Sequence, residues 1–155
     1  MKYILEKVKE WDKDILFRLL QYSLFEESAT DLNEMNSSAL FEYKWFESYF
    51  TDSDRDAYFI KSVDGSKLLG FVMINTYMQK SDIGHSVAEF MIVPKYRRNS
   101  IGKSVAFEIF DRYKGNWKVS PSYKSETAYK FWQNVISEYT KDNYTYQDGI
   151  FIFNN

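Results

Sequence analysis

The chain has 155 residues, enough for one domain spanning 1–155 and for a substantial core. Its 45% hydrophobic and 27% charged residues exclude a disordered chain, and a net charge of −2 gives no general reason to expect nucleic acid as a partner. With no cysteine and one histidine, His85, disulfides, thiol catalysis and zinc chemistry drop out together, so no metal is expected.

The first residues, MKYILEKVKEWDKD, interrupt every apolar run with charge. They read as neither a signal peptide nor a membrane span, which makes the cytoplasm the expected location. Within them Tyr3 to Val8 alternates as a first strand. Asp12 or Asp14 is placed to cap a helix whose apolar face is Ile15, Leu16, Leu19, Leu20 and Leu24. After a polar stretch, Leu40, Phe41, Tyr43, Trp45, Phe46 and Tyr49 suggest a second helix. DAYFIKSV and KLLGFVMINTYM flank Asp64-Gly65-Ser66 and read as a hairpin. HSVAEFMIV is the next strand, ended by Pro94, which has no N–H for the ladder.

Past Gly102 the apolar positions Val105, Ala106, Ile109, Phe110 and Tyr113 return to helical spacing, and Gly115 is placed to stop that helix. NWKVS is a short strand. SETAYKFWQNVISEY is a helix with Ser125 as its cap and Ala128, Phe131, Trp132, Val135 and Ile136 on one face. YTYQDGIFIF closes the chain as strand, Asp-Gly turn and strand. The order β-α-α-β-β-β-α-β-α-β-β gives an α/β chain whose long antiparallel middle argues against a pure Rossmann arrangement.

The stretch MIVPKYRRNSIGKS packs a strand end, a basic turn and a helix start together. Such a turn leaves backbone N–H groups unpaired beside the positive end of a helix dipole, which makes an anion site. Arg97 and Arg98 add charge-assisted donors, and the small Ser100 and Gly102 allow a phosphate close to the backbone. Two solvated arginines beside an ordinary helix-starting turn would look the same. A P-loop is excluded despite Ile101-Gly-Lys-Ser104, because that motif requires glycine where Arg97 stands.

Order and motif together resemble the GNAT superfamily of acetyl-CoA-dependent N-acetyltransferases. That family's signature, Arg/Gln-x-x-Gly-x-Gly/Ala, corresponds to Arg97-Arg98-Asn99-Ser100-Ile101-Gly102, with Ser100 replacing the first glycine. Its Asn-x-x-Ala-x-x-Phe-Tyr/Trp on a later helix corresponds to Ser125 through Trp132, with Ser125 replacing the asparagine. The phrasing GNWKV…AYKFWQNVISEYT is similar to a bacterial subgroup of acetyltransferases. The resemblance runs in order through nearly the whole chain, with specific motifs from about Glu89 to Val135.

The resemblance implies a mixed, mostly antiparallel central sheet flanked by helices. It also implies acetyl-CoA as the donor and an amine as the acceptor, with no nucleic acid or membrane partner. Met91, Ile92 and Val93 would pair with the pantetheine arm like an added strand. The turn and helix start, Arg97, Arg98, Asn99, Ser100, Ile101, Gly102, Lys103 and Ser104, would hold the pyrophosphate, and Ser125 would reach the cofactor.

An amine of pKa about 10.4 must lose a proton before it attacks the thioester. Glu89 is the candidate base, acting through water, with burial raising its pKa; the alternative is a solvent-facing Glu89 on an alternating strand. A backbone N–H near Ile92 or Val93 would polarise the thioester carbonyl. Trp132 occupies the position of the family's acid tyrosine. Tyr123, Tyr129 or Tyr139 would replace it, or the thiolate leaves unaided. His85 reads as an ordinary structural histidine. Glu26, Glu27, Asp31 and Glu34 lie in the region that borders the family's acceptor site, where acidic walls suit a cationic amine, although a solvated loop would have the same composition. The acceptor is open between a small molecule and a peptide or protein amine, and the aromatic-rich composition allows a homodimer. A non-catalytic acyl-CoA-binding or regulatory module with a degenerate site is the alternative function, and a scaffold without cofactor the third.

Overall fold

A computed structural model describes residues 1–78 and 83–155. One seven-stranded sheet runs in the order β1-β2-β3-β4-β5-β7-β6. Its strands are β1 (Tyr3–Lys7), β2 (Arg55–Ser62), β3 (Leu68–Asn75), β4 (His85–Ile92), β5 (Asn116–Val119), β6 (Thr145–Gln147) and β7 (Ile150–Asn154). Four helices accompany them: α1 (Lys13–Glu27), α2 (Ser48–Thr51), α3 (Ile101–Arg112) and α4 (Glu126–Thr140). All neighbouring strands pair antiparallel except β4 and β5. The expected element order is observed throughout.

Alternation along β2, β3 and β4 builds two cores, one on each face of the sheet. Ile60, Val72, Ile74 and Ile92 pack with α3 and α4 on one face. Phe59, Phe71, Met73 and Met91 pack with α1 and the α2 region on the other. The central strands are therefore buried on both sides and read as near-continuous apolar runs. Asn75 ends β3 earlier than the sequence suggests, because its side-chain oxygen accepts the Tyr77 N–H at 2.9 Å.

The expected helix from Leu40 to Tyr49 shrinks to the single turn α2. Gln21 of α1 is the reason. Its side-chain amide bonds both the N–H and the C=O of Phe41, each at 2.8 Å, so the backbone there is not free for helical partners. Asn36 captures the N–H groups of Ser38 and Leu40. Phe41, Phe46 and Tyr49 still reach the core, which is why their spacing looked helical. Asp12 precedes α1 but makes no capping bond, whereas Ser125 does cap α4, accepting the Ala128 N–H at 3.2 Å.

The feature that positions the site is the parallel junction. β4 and β5 pair only over His85–Val87 and Trp117–Val119. Beyond that β4 continues with β3 on its other side, while β5 ends ahead of Pro121, which cannot donate to a ladder. The two strands splay, and residues 88–92 keep an unpaired edge.

Candidate active site

A cleft of about 850 Å³ opens at the splay. β4 supplies its floor through Phe90, Met91 and Ile92, α4 one wall through Ala128, Phe131 and Trp132, and the 97–103 turn the other. The end of α1, with Ser23, Glu26 and Glu27, closes one side.

The turn leaves backbone amides free over part of the stretch that the motif marks. The first helical bond of α3 runs from Ser104 N–H to Ser100 C=O. The amides of Arg98 through Lys103 donate to no backbone acceptor among the described residues, so they form a run of free donors at the head of a twelve-residue helix. Arg97 and Ser104 fall outside this run, since their N–H groups go to Pro94 and Ser100. Arg98 (φ 64°) and Ser100 (φ 61°) are both left-handed. For Ser100, standing where the motif has glycine, this conformation costs about 1–2 kcal/mol. Without a Cβ, Gly102 lets α3 approach Phe131; an added Cβ would lie 3.1 Å from that ring.

The two arginines part company. Arg97 is bound on both sides: its Nε donates to Ile92 C=O at 2.7 Å, and its guanidinium forks onto Glu26 at 2.7 and 3.2 Å. Arg98 lines the cleft and makes no ion pair among the described residues. Lys103 bridges α3 to α4 through Glu138 at 3.1 Å. Asn99 turns back onto Tyr96 C=O, and the Ile101 side chain belongs to the core.

Along β4 the alternation selects which backbone groups are free. Val93 N–H donates to Leu69 C=O at 2.8 Å, and Met91 sits opposite Phe71, so both face β3. Phe90 and Ile92 therefore point their backbone groups at the open edge. Of the three strand residues expected to pair with a ligand arm, Ile92 alone is exposed this way, and there through its N–H, since its C=O accepts from Arg97 Nε. Phe90, two residues earlier, joins it and was legible from the period of two.

Beside the floor lie two carboxyl groups. Glu89 on β4 meets Glu27 from the last turn of α1, with Tyr43 against Glu89 and Ser122 against Glu27. Burial and the Glu27 charge push the Glu89 carboxyl well above the usual glutamate range. Burial raises Glu27 as well, opposed by its contacts with Glu89 and Ser122. Of the four acidic residues between the helices, only Glu27 joins Glu89. Glu26 holds Arg97, Asp31 accepts from Asn33, and Glu34 is exposed. The sequence signal for Glu27 was no more than its place in that acidic run.

A raised folded-state pKa means that Glu89 favours the fold while protonated, and that this stability is lost as pH rises through the folded value. Glu89→Gln removes that loss. The variant is expected to be more stable than wild type at pH 9, by on the order of 1 kcal/mol, and less distinguishable from it at pH 5. Thermal melts at the two pH values check this; a pH-independent difference overturns the assignment.

No tyrosine lines the cleft among the described residues. Tyr139 donates to Asp111, Tyr129 packs on Tyr146 and Phe151, and Tyr123 is exposed. Trp132 is buried against Phe90 and Phe131. His85 stacks near Tyr113 and Trp117 at the closed end of the splay, and burial lowers its pKa.

No family model matches the chain, and no curated protein matches it in sequence. Solved structures do match. An acetyltransferase from Thermus thermophilus superposes with a TM-score of 0.68 at 13% identity, covering 100% of this chain and 98% of that one. YhhK from E. coli, bound to coenzyme A, gives 0.59 at 15% identity over 100% of both chains. Arabidopsis thaliana NAA60 with a bisubstrate analogue gives 0.60 at 12% identity, covering 99% and 98%; it is also known with acetyl-CoA. The chain thus has the fold of the GNAT acetyltransferases, a mostly antiparallel mixed sheet between helices.

Proposed function

We propose that the protein transfers an acetyl group from acetyl-CoA to a primary amine. The observation that carries this reading is the run of free amides from Arg98 to Lys103 at the head of a cleft floored by an unpaired strand edge. A diphosphate needs several converging donors, and a pantetheine amide needs a strand edge. Both are present and adjacent, and structures of the same fold carry coenzyme A or acetyl-CoA.

In this pose Phe90 holds the arm through its backbone groups. The Ile92 N–H is placed to polarise the thioester carbonyl. The Arg97–Ile92 bond keeps the turn folded against the strand. The Glu27–Glu89 pair receives the proton of the amine. The nitrogen then bonds to the carbonyl carbon, the carbon–sulfur bond breaks, and the second nitrogen proton ends on the thiolate. With no tyrosine lining the cleft among the described residues, the thiolate leaves without a protein acid.

Calorimetric titration of coenzyme A, followed by thiol release with a panel of amines, tests the reading. Absence of binding by the folded protein removes it. Binding without turnover favours a non-catalytic acyl-CoA-binding module, a reading that the buried indole of Trp132 at the usual tyrosine position supports. Arg98→Ala is expected to weaken coenzyme A binding about 10- to 100-fold, the worth of a charge-assisted hydrogen bond. Arg97→Ala should cost less affinity, since Glu26 already neutralises that guanidinium. An equal loss for both would contradict the division between them.

A further inference from the structure

Which carboxyl meets the amine is a question that rests on the acetyl-transfer reading and deepens it. Glu27 lines the cleft, and Glu89 does not. Glu89 stands behind it on β4, and the two carboxyl groups are in contact. Two carboxyls touching in a partly dehydrated site cannot both ionise at neutral pH, so they hold one proton between them.

Their surroundings decide where that proton rests. Glu89 is the more enclosed, and that burial outweighs the Tyr43 hydroxyl beside it, which favours the charged form. Glu27 has the Ser122 hydroxyl beside its carboxylate and opens onto the cleft. Among the described residues, the other ionisable groups acting on the pair are Glu26 and Asp31, from the end of α1 and the loop after it, and Tyr43, which is itself backed by Tyr49. The two acids oppose a second negative charge, whereas the Tyr43 hydroxyl stabilises charge on Glu89 and offsets part of the effect of burial there; Arg55 is engaged with Tyr49 and the Trp45 ring. The proton belongs on Glu89, and a protonated carboxyl cannot serve as a base.

We propose that Glu27, rather than Glu89, is the carboxylate that takes the proton from the acceptor amine, with Glu89 as the positioning residue that donates a hydrogen bond to it from behind. One N–H bond of the ammonium breaks and its proton passes to a Glu27 oxygen; the freed electron pair bonds to the thioester carbon, the carbon–sulfur bond breaks, and the second nitrogen proton ends on the departing thiolate. The carboxyl then returns the proton to solvent. The sequence signature pointed at the strand residue because a strand glutamate in an apolar run is conspicuous. The helix residue is the one the cleft reaches.

The test uses the full chain with carbon-13 at the glutamate carboxyls. Expected in wild type is a first titration step at Glu27, with Glu89 losing its proton only at higher pH. Glu89 ionising first overturns the proposal. In parallel, thiol release is followed with spermidine, kanamycin, free lysine and an alanine-led peptide, using the fastest. Glu27→Gln should lower kcat by about 100-fold or more while leaving coenzyme A affinity unchanged. Glu89→Gln, whose amide still donates to Glu27, should lose only about tenfold, and Glu89→Ala more. The reverse ranking overturns the proposal. If no amine on the panel turns over, the titration order decides. Failure of coenzyme A to bind wild type removes the acetyl-transfer reading instead, a different and separately visible outcome.

Discussion

Replacing Gly70 with alanine is expected to destabilise the protein by roughly 3 kcal/mol, at the upper end of what overpacking costs. The reason is backbone against backbone. A Cβ at Gly70 would lie 2.0 Å from Met91 C=O and 3.0 Å from its carbon, with Ile92 Cα at 3.1 Å. No side chain can rotate to make room, so β3 and β4 must separate where they are most tightly joined. Gly70 pairs with Ile92, whose outward backbone edge floors the cleft. The same substitution should therefore also abolish measurable coenzyme A binding in whatever fraction remains folded. Urea denaturation and calorimetry give the two readouts. An unchanged midpoint with intact binding would show that β4 is not held as described. Gly65 offers the contrast: nothing lies within 4 Å of its missing Cβ, and only its positive φ of 74° matters.

How much of this was readable beforehand depends on the range of the interaction. The Asp64-Gly65 and Asp148-Gly149 turns, the Ser125 cap and the strand ended at Pro94 are local, and local chemistry announced them. The run of free amides at the head of α3 was legible too, since it follows from a strand meeting a helix start. The fate of Arg97 was not, because its partner Glu26 lies on a different helix. Gln21 claiming the Phe41 backbone erased an expected helix by the same kind of long-range contact. Glu27 was hidden for a third reason. Its importance comes from facing Glu89 across the sheet edge, and nothing about a glutamate in an acidic run distinguishes it from its neighbours. Local motifs therefore marked the strand end and turn that border the cleft, while the assignment of charges within it required the fold.

The second large effect is expected at the other end of the splay. Trp117 is fully buried on β5 and packs against Phe110 and Phe153, with ring centroids 4.9 and 6.4 Å away. Its indole N–H donates to Tyr113 C=O at 2.7 Å, tying β5 to the end of α3. Trp117→Ala leaves a large cavity and an unpaired carbonyl, so about 3–5 kcal/mol of stability should be lost. For a chain of this length that corresponds to a fall in Tm of roughly 10 °C. The functional consequence follows from register. Trp117 stands opposite His85, the first of the few pairs that join β4 to β5 before they diverge. Loosening that junction changes the angle of the splay, so the floor and walls of the cleft no longer face one another at fixed spacing. Coenzyme A affinity should fall as well, although no atom of Trp117 lines the cleft. Trp117→Phe, which keeps most of the ring contact and loses the indole bond, should recover the affinity and part of the stability. A Trp117→Ala protein that melts lower yet binds coenzyme A as tightly as wild type would mean that the junction does not set the cleft, and that the turn at Arg98–Lys103 acts alone.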